Sequence, residues 1–137
     1  MADRHFELGD AELQVLRALW DRGRSTVREV MTELHGGGRR VAYTTVLTFL
    51  TRLEAKGYVT SDKTGLAYIY AATLSRERVT RSRLKTVVRQ LYDGAAAPLV
   101  LQLMRTERFS PEEIAELQAM IDGMDVTKRR RSASRKV

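Results

Sequence analysis

The sequence predicts a mainly α-helical chain with one small β-hairpin: an N-terminal winged helix-turn-helix followed by a three-helix dimerisation domain. Three observations carry this. Three amphipathic stretches in the first 57 residues repeat apolar positions at helical spacing. The period then changes from 3.6 to 2 over two short aromatic and β-branched runs. Beyond residue 75 the helical spacing returns and no further strand pattern appears. The organisation expected is 1–73 for the winged helix, 74–125 for the dimerisation domain and 126–137 for a basic, core-less tail that is disordered. An unrelated small α+β domain is the competing reading of the first part.

The first helix opens at Leu8-Gly9-Asp10, where Gly9 is a tolerable N-cap and Asp10 and Glu12 favour the positive end of the helix dipole. Leu13, Val15, Leu16, Leu19 and Trp20 supply its buried stripe. A second entrance follows at Ser25-Thr26, with Glu29 placed to complete a capping box and Val27, Val30, Met31 and Leu34 as the stripe. Gly36-Gly37-Gly38 closes that helix, and the third runs from Ala42 to Gly57.

The third helix is unusual. Val46, Phe49, Leu50 and Leu53 share one side, while Thr44, Thr45, Thr48, Thr51 and Arg52 lie on or beside the other. Threonine is a poor helix former, so four in eight residues are an odd choice for a merely solvated face. A short hydroxyl with a methyl suits the floor of a DNA major groove, so this is read as a recognition helix. Tyr43, Thr44, Thr45, Leu47 and Thr48 are expected toward the groove, with Leu47 against a thymine methyl. Arg52, Arg39, Arg40 and Lys63 are expected on phosphates, as are backbone N–H groups at Ser25 and Thr26. Trp20, Phe49, Tyr58 and Tyr68 are assigned to the core. Tyr58–Asp62 and Ala67–Ala71 read as the strands, with the wing tip at 63–65.

In the second half, a helix from Ser75 to about Tyr92 carries Val79, Leu84, Val87, Val88 and Leu91 among six basic residues. Pro98–Met104 is a short, very apolar helix. Ser110-Pro111-Glu112-Glu113 is a strong entrance to a last one bearing Ile114, Leu117, Met120, Ile121 and Met124. About fifty residues bury little surface alone. Leu84, Val88, Leu91, Leu99, Leu101, Leu103, Ile114, Leu117 and Ile121 are therefore expected to meet a second copy. The competing expectation is that these helices fold back on the first half.

At 137 residues, 43% apolar and 30% charged, the chain can bury a core. Its net charge is +7, yet 1–72 holds ten basic against nine acidic residues, and 73–137 fourteen against eight. High charge thus does not by itself mark the first half as the nucleic-acid binder. The absence of cysteine excludes disulfides and thiolate metal sites. His5 and His35 lack a partner motif and read as solvated, so neither metal nor cofactor is expected. No apolar run reaches the roughly 20 residues of a membrane span. No signal segment opens the chain, so a cytoplasmic protein without membrane insertion is expected. No catalytic constellation is present, which argues against an enzyme. A winged-helix protein-interaction module, or a DNA-binding activator or architectural protein, remains an open alternative.

The residues Ala11-Glu12-Leu13…Leu19-Trp20, Thr44 to Leu53 with Lys56-Gly57, Tyr68-Ile69-Tyr70, Leu91-Tyr92-Asp93-Gly94…Leu99-Val100-Leu101 and Glu113-Ile114…Glu116-Leu117 carry a resemblance. Over about 8–124 the chain resembles the penicillinase and methicillin-resistance repressors, the BlaI/MecI/CopY group of winged-helix regulators. The resemblance implies a homodimeric repressor on a palindromic double-stranded DNA operator, with induction by β-lactam or cell-envelope stress. It also implies a membrane sensor protease system that triggers cleavage in the C-terminal helices. Aligned on Leu99-Val100-Leu101, that bond falls at Gln102-Leu103, where the staphylococcal members have asparagine and phenylalanine. The cysteine-rich metal motif of the copper-responsive branch is missing.

Overall fold

A computed structural model of the chain describes residues 6–135, with side chains over 6–124. Its elements are α1 (Asp10–Arg22), α2 (Val27–Gly36), α3 (Tyr43–Ala55), β1 (Val59–Asp62), β2 (Ile69–Ala72), α4 (Arg76–Tyr92), α5 (Ala97–Thr106) and α6 (Pro111–Arg135). Three helices followed by an antiparallel hairpin form a winged helix-turn-helix, as the periodicity predicts. His5 lies outside the described residues.

The helix entrances follow their sequences. Thr26 caps α2: its Oγ1 accepts from the Glu29 N–H while the Thr26 N–H donates to Glu29 Oε1. Ser110 and Glu113 make the same reciprocal pair at α6. At α1 only half a box forms, because Gly9 has no side chain. Its N–H donates to Glu12 Oε1 at 3.1 Å. Beyond α3 and its Lys56 cap, Gly57 turns the chain with a φ of +80°, a left-handed conformation that a side chain would strain.

Val15, Leu16, Leu19, Val30, Val46, Leu50 and Leu53 are at most 3% exposed and pack α1, α2 and α3 together. The hairpin closes one edge of this core through Val59 and Tyr70. β1 and β2 pair with Val59 opposite Ala72 and Asp62 opposite Ile69. Ser25 adds a one-residue bridge on the other edge of β2, donating its N–H to Tyr70 O and accepting from the Tyr70 N–H.

One charged pair fixes α1 to the end of α3. Lys56 Nζ donates to both Glu12 carboxylate oxygens at 3.0 Å and to Glu7 O at 2.9 Å. Burial pushes the Glu12 carboxyl up, but the Gly9 N–H, the Lys56 ammonium and the charge of Arg52 together outweigh it and hold it below its ordinary value.

Tyr68 departs from its core assignment. Strand β2 begins at Ile69, so Tyr68 belongs to the wing and is 47% exposed, whereas Tyr70 is the buried tyrosine. Trp20, Phe49 and Tyr58 are half-buried against the core, and Trp20 Nε1 donates to Leu74 O at 2.8 Å. His35 is exposed, but its Nε2 lies 2.9 Å from Val41 O and so spans the α2–α3 connection.

The first compact unit extends to Val87 and the second begins at Val88, so the division falls inside α4, not before it. Leu74 and Val79 explain the difference, being buried in the N-terminal core. Within the second unit no described side chain is buried: Val88, Leu99 and Leu117 are half-buried, and Leu91, Leu101, Leu103, Ile114 and Ile121 are exposed. Leu84, placed in the first unit, is 46% exposed. The α6 backbone runs on to Arg135, through most of the stretch expected to be a disordered tail. Its lysines, arginines and alanine are good helix formers, and cations favour a helix C-terminus. Side chains from 125 onward lie outside the described residues.

Candidate nucleic-acid interface

The α3 helix packs Val46, Leu50 and Leu53 inward, and at 100° per residue this fixes what faces out. Thr44, Thr48 and Thr51 occupy the centre of the exposed side. Thr45, half-buried, lies on one flank with exposed Arg52, and Tyr43 and half-buried Leu47 lie on the other. The predicted polar face is thus exposed and continuous. Thr48 Oγ1 donates to Thr44 O at 2.9 Å and Thr51 Oγ1 to Leu47 O at 2.8 Å, the back-bond by which a mid-helix threonine satisfies its proton.

The surroundings of α3 separate two kinds of cation. Arg22, Arg24 and Lys56 are ion-paired to Glu29 and Glu33, Asp62, and Glu12. Among the described residues Arg28, Arg39, Arg40, Arg52 and Lys63 have no carboxylate within 4.0 Å. These five are carried by α2, the α2–α3 connection, α3 and the wing. A half-chain nearly neutral in total therefore presents uncompensated positive charge around the threonine face.

Three of these cations rest on rings. Arg28 Cζ is 5.6 Å from the Tyr43 centroid, Lys63 Nζ 5.6 Å from that of Tyr68, and Arg52 Cζ 5.8 Å from that of Phe49. Arg28, Tyr43 and Tyr68 line a cleft of about 420 Å³ together with Val27, Leu47, Leu66 and Ala67. The wing base is ordered by Asp62, which accepts from Thr64 Oγ1 at 2.6 Å and from its N–H at 3.0 Å. These bonds, with the charge of Arg24, hold the Asp62 carboxyl below its ordinary range.

Ser25 does not belong to the interface as expected. It is 1% exposed, its N–H is taken by Tyr70 O and its Oγ donates to Gly23 O. The Thr26 N–H is likewise committed to Glu29. Both are spent on shaping the α2 entrance. Conversely, Arg28, which had no expected role, and Tyr68, expected in the core, join the surface. Arg28 reads in the sequence as an ordinary solvated helix residue, and its aromatic partner is fifteen positions away.

A winged helix-turn-helix with an exposed polar helix, flanking cations and a cation-bearing wing has the build of a DNA-binding protein. The chain belongs to the penicillinase repressor family, whose profile matches residues 8–123. It is 26% identical to the penicillinase repressor of Staphylococcus aureus over 129 residues, covering 94% of this chain and all of that one. It is 32% identical to the transcriptional regulator BlaI of Mycobacterium tuberculosis over 120 residues, 82% of this chain and 86% of the relative. Among solved structures, Bacillus licheniformis BlaI, a monomeric form in complex with the blaP half-operator, matches 53% of this chain and 87% of its own. That match has 28% identity and a TM-score of 0.45.

Proposed function

We propose that the chain is a sequence-specific transcriptional repressor that binds a palindromic DNA operator as a homodimer. The observation that carries this is the exposed threonine face of α3 amid five cations without carboxylate partners, in a member of the penicillinase repressor family. Thr44, Thr45 and Thr48 face base edges, while Arg39, Arg40, Arg52 and Lys63 hold phosphates. Leu84, Val88, Leu91, Leu99, Leu101, Leu103, Ile114, Leu117 and Ile121 cover one another across two copies. A single helix per subunit is a small footprint, so affinity depends on both half-sites being engaged together.

Induction by a β-lactam or envelope signal, relayed by a membrane sensor protease, belongs to the same reading. The bond it would cut, Gln102–Leu103, is exposed but sits in the middle of α5, so cleavage requires that helix to open locally. Losing Leu103 and all that follows would remove Leu103, Ile114, Leu117 and Ile121 from the proposed dimer surface.

Footprinting on the promoter of the chain's own gene tests the operator. Two protected half-sites related by a dyad are expected. Binding no more selective than the salt-dependent background would sink the reading. Thr48→Ala is expected to weaken operator binding by about 1–3 kcal/mol and to leave unrelated DNA nearly unchanged. Equal losses on both would mean that Thr48 does not read sequence.

A further inference from the structure

The Arg28–Tyr43 pair lies on the surface, outside the buried core. Both residues are exposed, and Tyr43 is 42% accessible. Tyr43 is the first residue of α3, so its ring stands at the end of the helix whose N-terminal residues meet base edges in this class of protein. Arg28 comes from the first turn of α2, yet its guanidinium is carried across to that ring, 5.6 Å from the centroid. It thereby stands on the Leu47 flank of the threonine face, where it and Tyr43 line the cleft.

We propose that Arg28 is a specificity-determining residue that reads a guanine in each operator half-site, and that Tyr43 is the positioning residue that aims it. This deepens the repressor reading and rests on it. The physical basis is the planarity of the guanidinium. An arginine free in water samples many rotamers, whereas one stacked on a ring keeps its plane and presents a fixed fork of N–H donors. Guanine offers O6 and N7 as a matching pair of acceptors in the major groove. No carboxylate within 4.0 Å competes for that fork. The cleft walls contributed by Val27, Leu47 and Leu66 would shed water when DNA closes over them, which strengthens a hydrogen bond made at their edge. A threonine face has only short polar groups, so a long donor supplied from α2 adds a base contact that α3 cannot make for itself.

The test is selection of binding sites from a randomised duplex pool by the full-length protein, followed by titration of the selected consensus and of an unrelated duplex. The wild type is expected to return a dyad consensus containing guanine at one symmetric position per half-site. Arg28→Lys keeps the charge but loses the fork and the stack. It is expected to relax that position alone, and to bind the wild-type consensus roughly 10- to 100-fold more weakly with the unrelated duplex unchanged. Tyr43→Phe keeps the ring and should retain the preference, whereas Tyr43→Ala should lose it at the same position. Should Arg28→Lys return the full wild-type consensus, or Arg28→Ala weaken both duplexes equally with a shallower salt slope, Arg28 holds a phosphate and the inference is overturned. A wild type that selects no consensus overturns the repressor reading itself, a result distinct from either.

Discussion

Residues 6–79 and 80–124 use similar apolar residues at the same helical spacing, and the two stretches meet opposite fates. In the first, leucines and valines from three helices and a hairpin converge until Leu16, Val30, Val46, Leu50 and Leu53 are essentially inaccessible. In the second, Leu91 keeps 71% of its surface, Ile114 55% and Met120 67%. Exposure on that scale is a property of an unpartnered surface, not of a finished core. Amphipathic periodicity says which side of a helix is sticky. It does not say whether the surface that covers it lies in the same chain.

The sharpest way to break the contrast is a charge on the second surface. Leu101→Asp is expected to convert a dimer to a monomer in sedimentation and to weaken operator binding by about 10²–10⁴-fold, the loss that follows from decoupling two half-sites. The fold of the first unit should persist. A variant still dimeric, or still tight on the operator, would show that Leu101 is not part of the interface. Leu50→Ala probes the other surface. It should cost about 2–5 kcal/mol in urea unfolding, as expected for a fully buried leucine. That cost should not change with protein concentration, whereas Leu101→Ala should lower stability in a concentration-dependent way. Two losses with the same dependence would erase the distinction.

The smallest of these effects concerns the clasp inside the first unit. Glu12→Gln removes the partner of Lys56 and is expected to cost about 1–2 kcal/mol at pH 7. The folded-state carboxyl of Glu12 is held below its ordinary value. Its contribution is therefore present above the unfolded value near 4.3 and is lost as pH falls through the folded one. Unfolding curves of wild type and variant should converge once the pH has fallen below the folded value. A gap that persists there would point to packing instead of charge.

Much of this could be read from the residues. The capping pairs Thr26–Glu29 and Ser110–Glu113 are local, three positions apart, and depend on nothing distant. The outward face of α3 follows from Val46, Leu50 and Leu53 turning inward. What escaped were features set by the third dimension. Tyr68 and Tyr70 are two residues apart and would share one face of a strand, but the strand starts between them and the wing carries Tyr68 away from the core. Ser25 looked like a hydroxyl at a helix entrance because nothing local announces its bridge to Tyr70, forty-five residues on. Arg28 gave no signal until α2 and α3 were brought side by side. The division within α4 was equally hidden, since one uninterrupted helix spells both the end of a core and the start of an open surface.

The threonine back-bonds on α3 bear on the vocabulary of the operator. With their protons held by Thr44 O and Leu47 O, Thr48 and Thr51 would present lone pairs and methyl groups to DNA lying along the proposed face. Such a surface welcomes the exocyclic amines of adenine and cytosine and the methyl of thymine, and has nothing to give the acceptor edge of guanine. The selected half-site should therefore be poor in guanine on the strand that faces these two residues. A guanine-rich step there would mean that the hydroxyls turn away from the helix when DNA arrives.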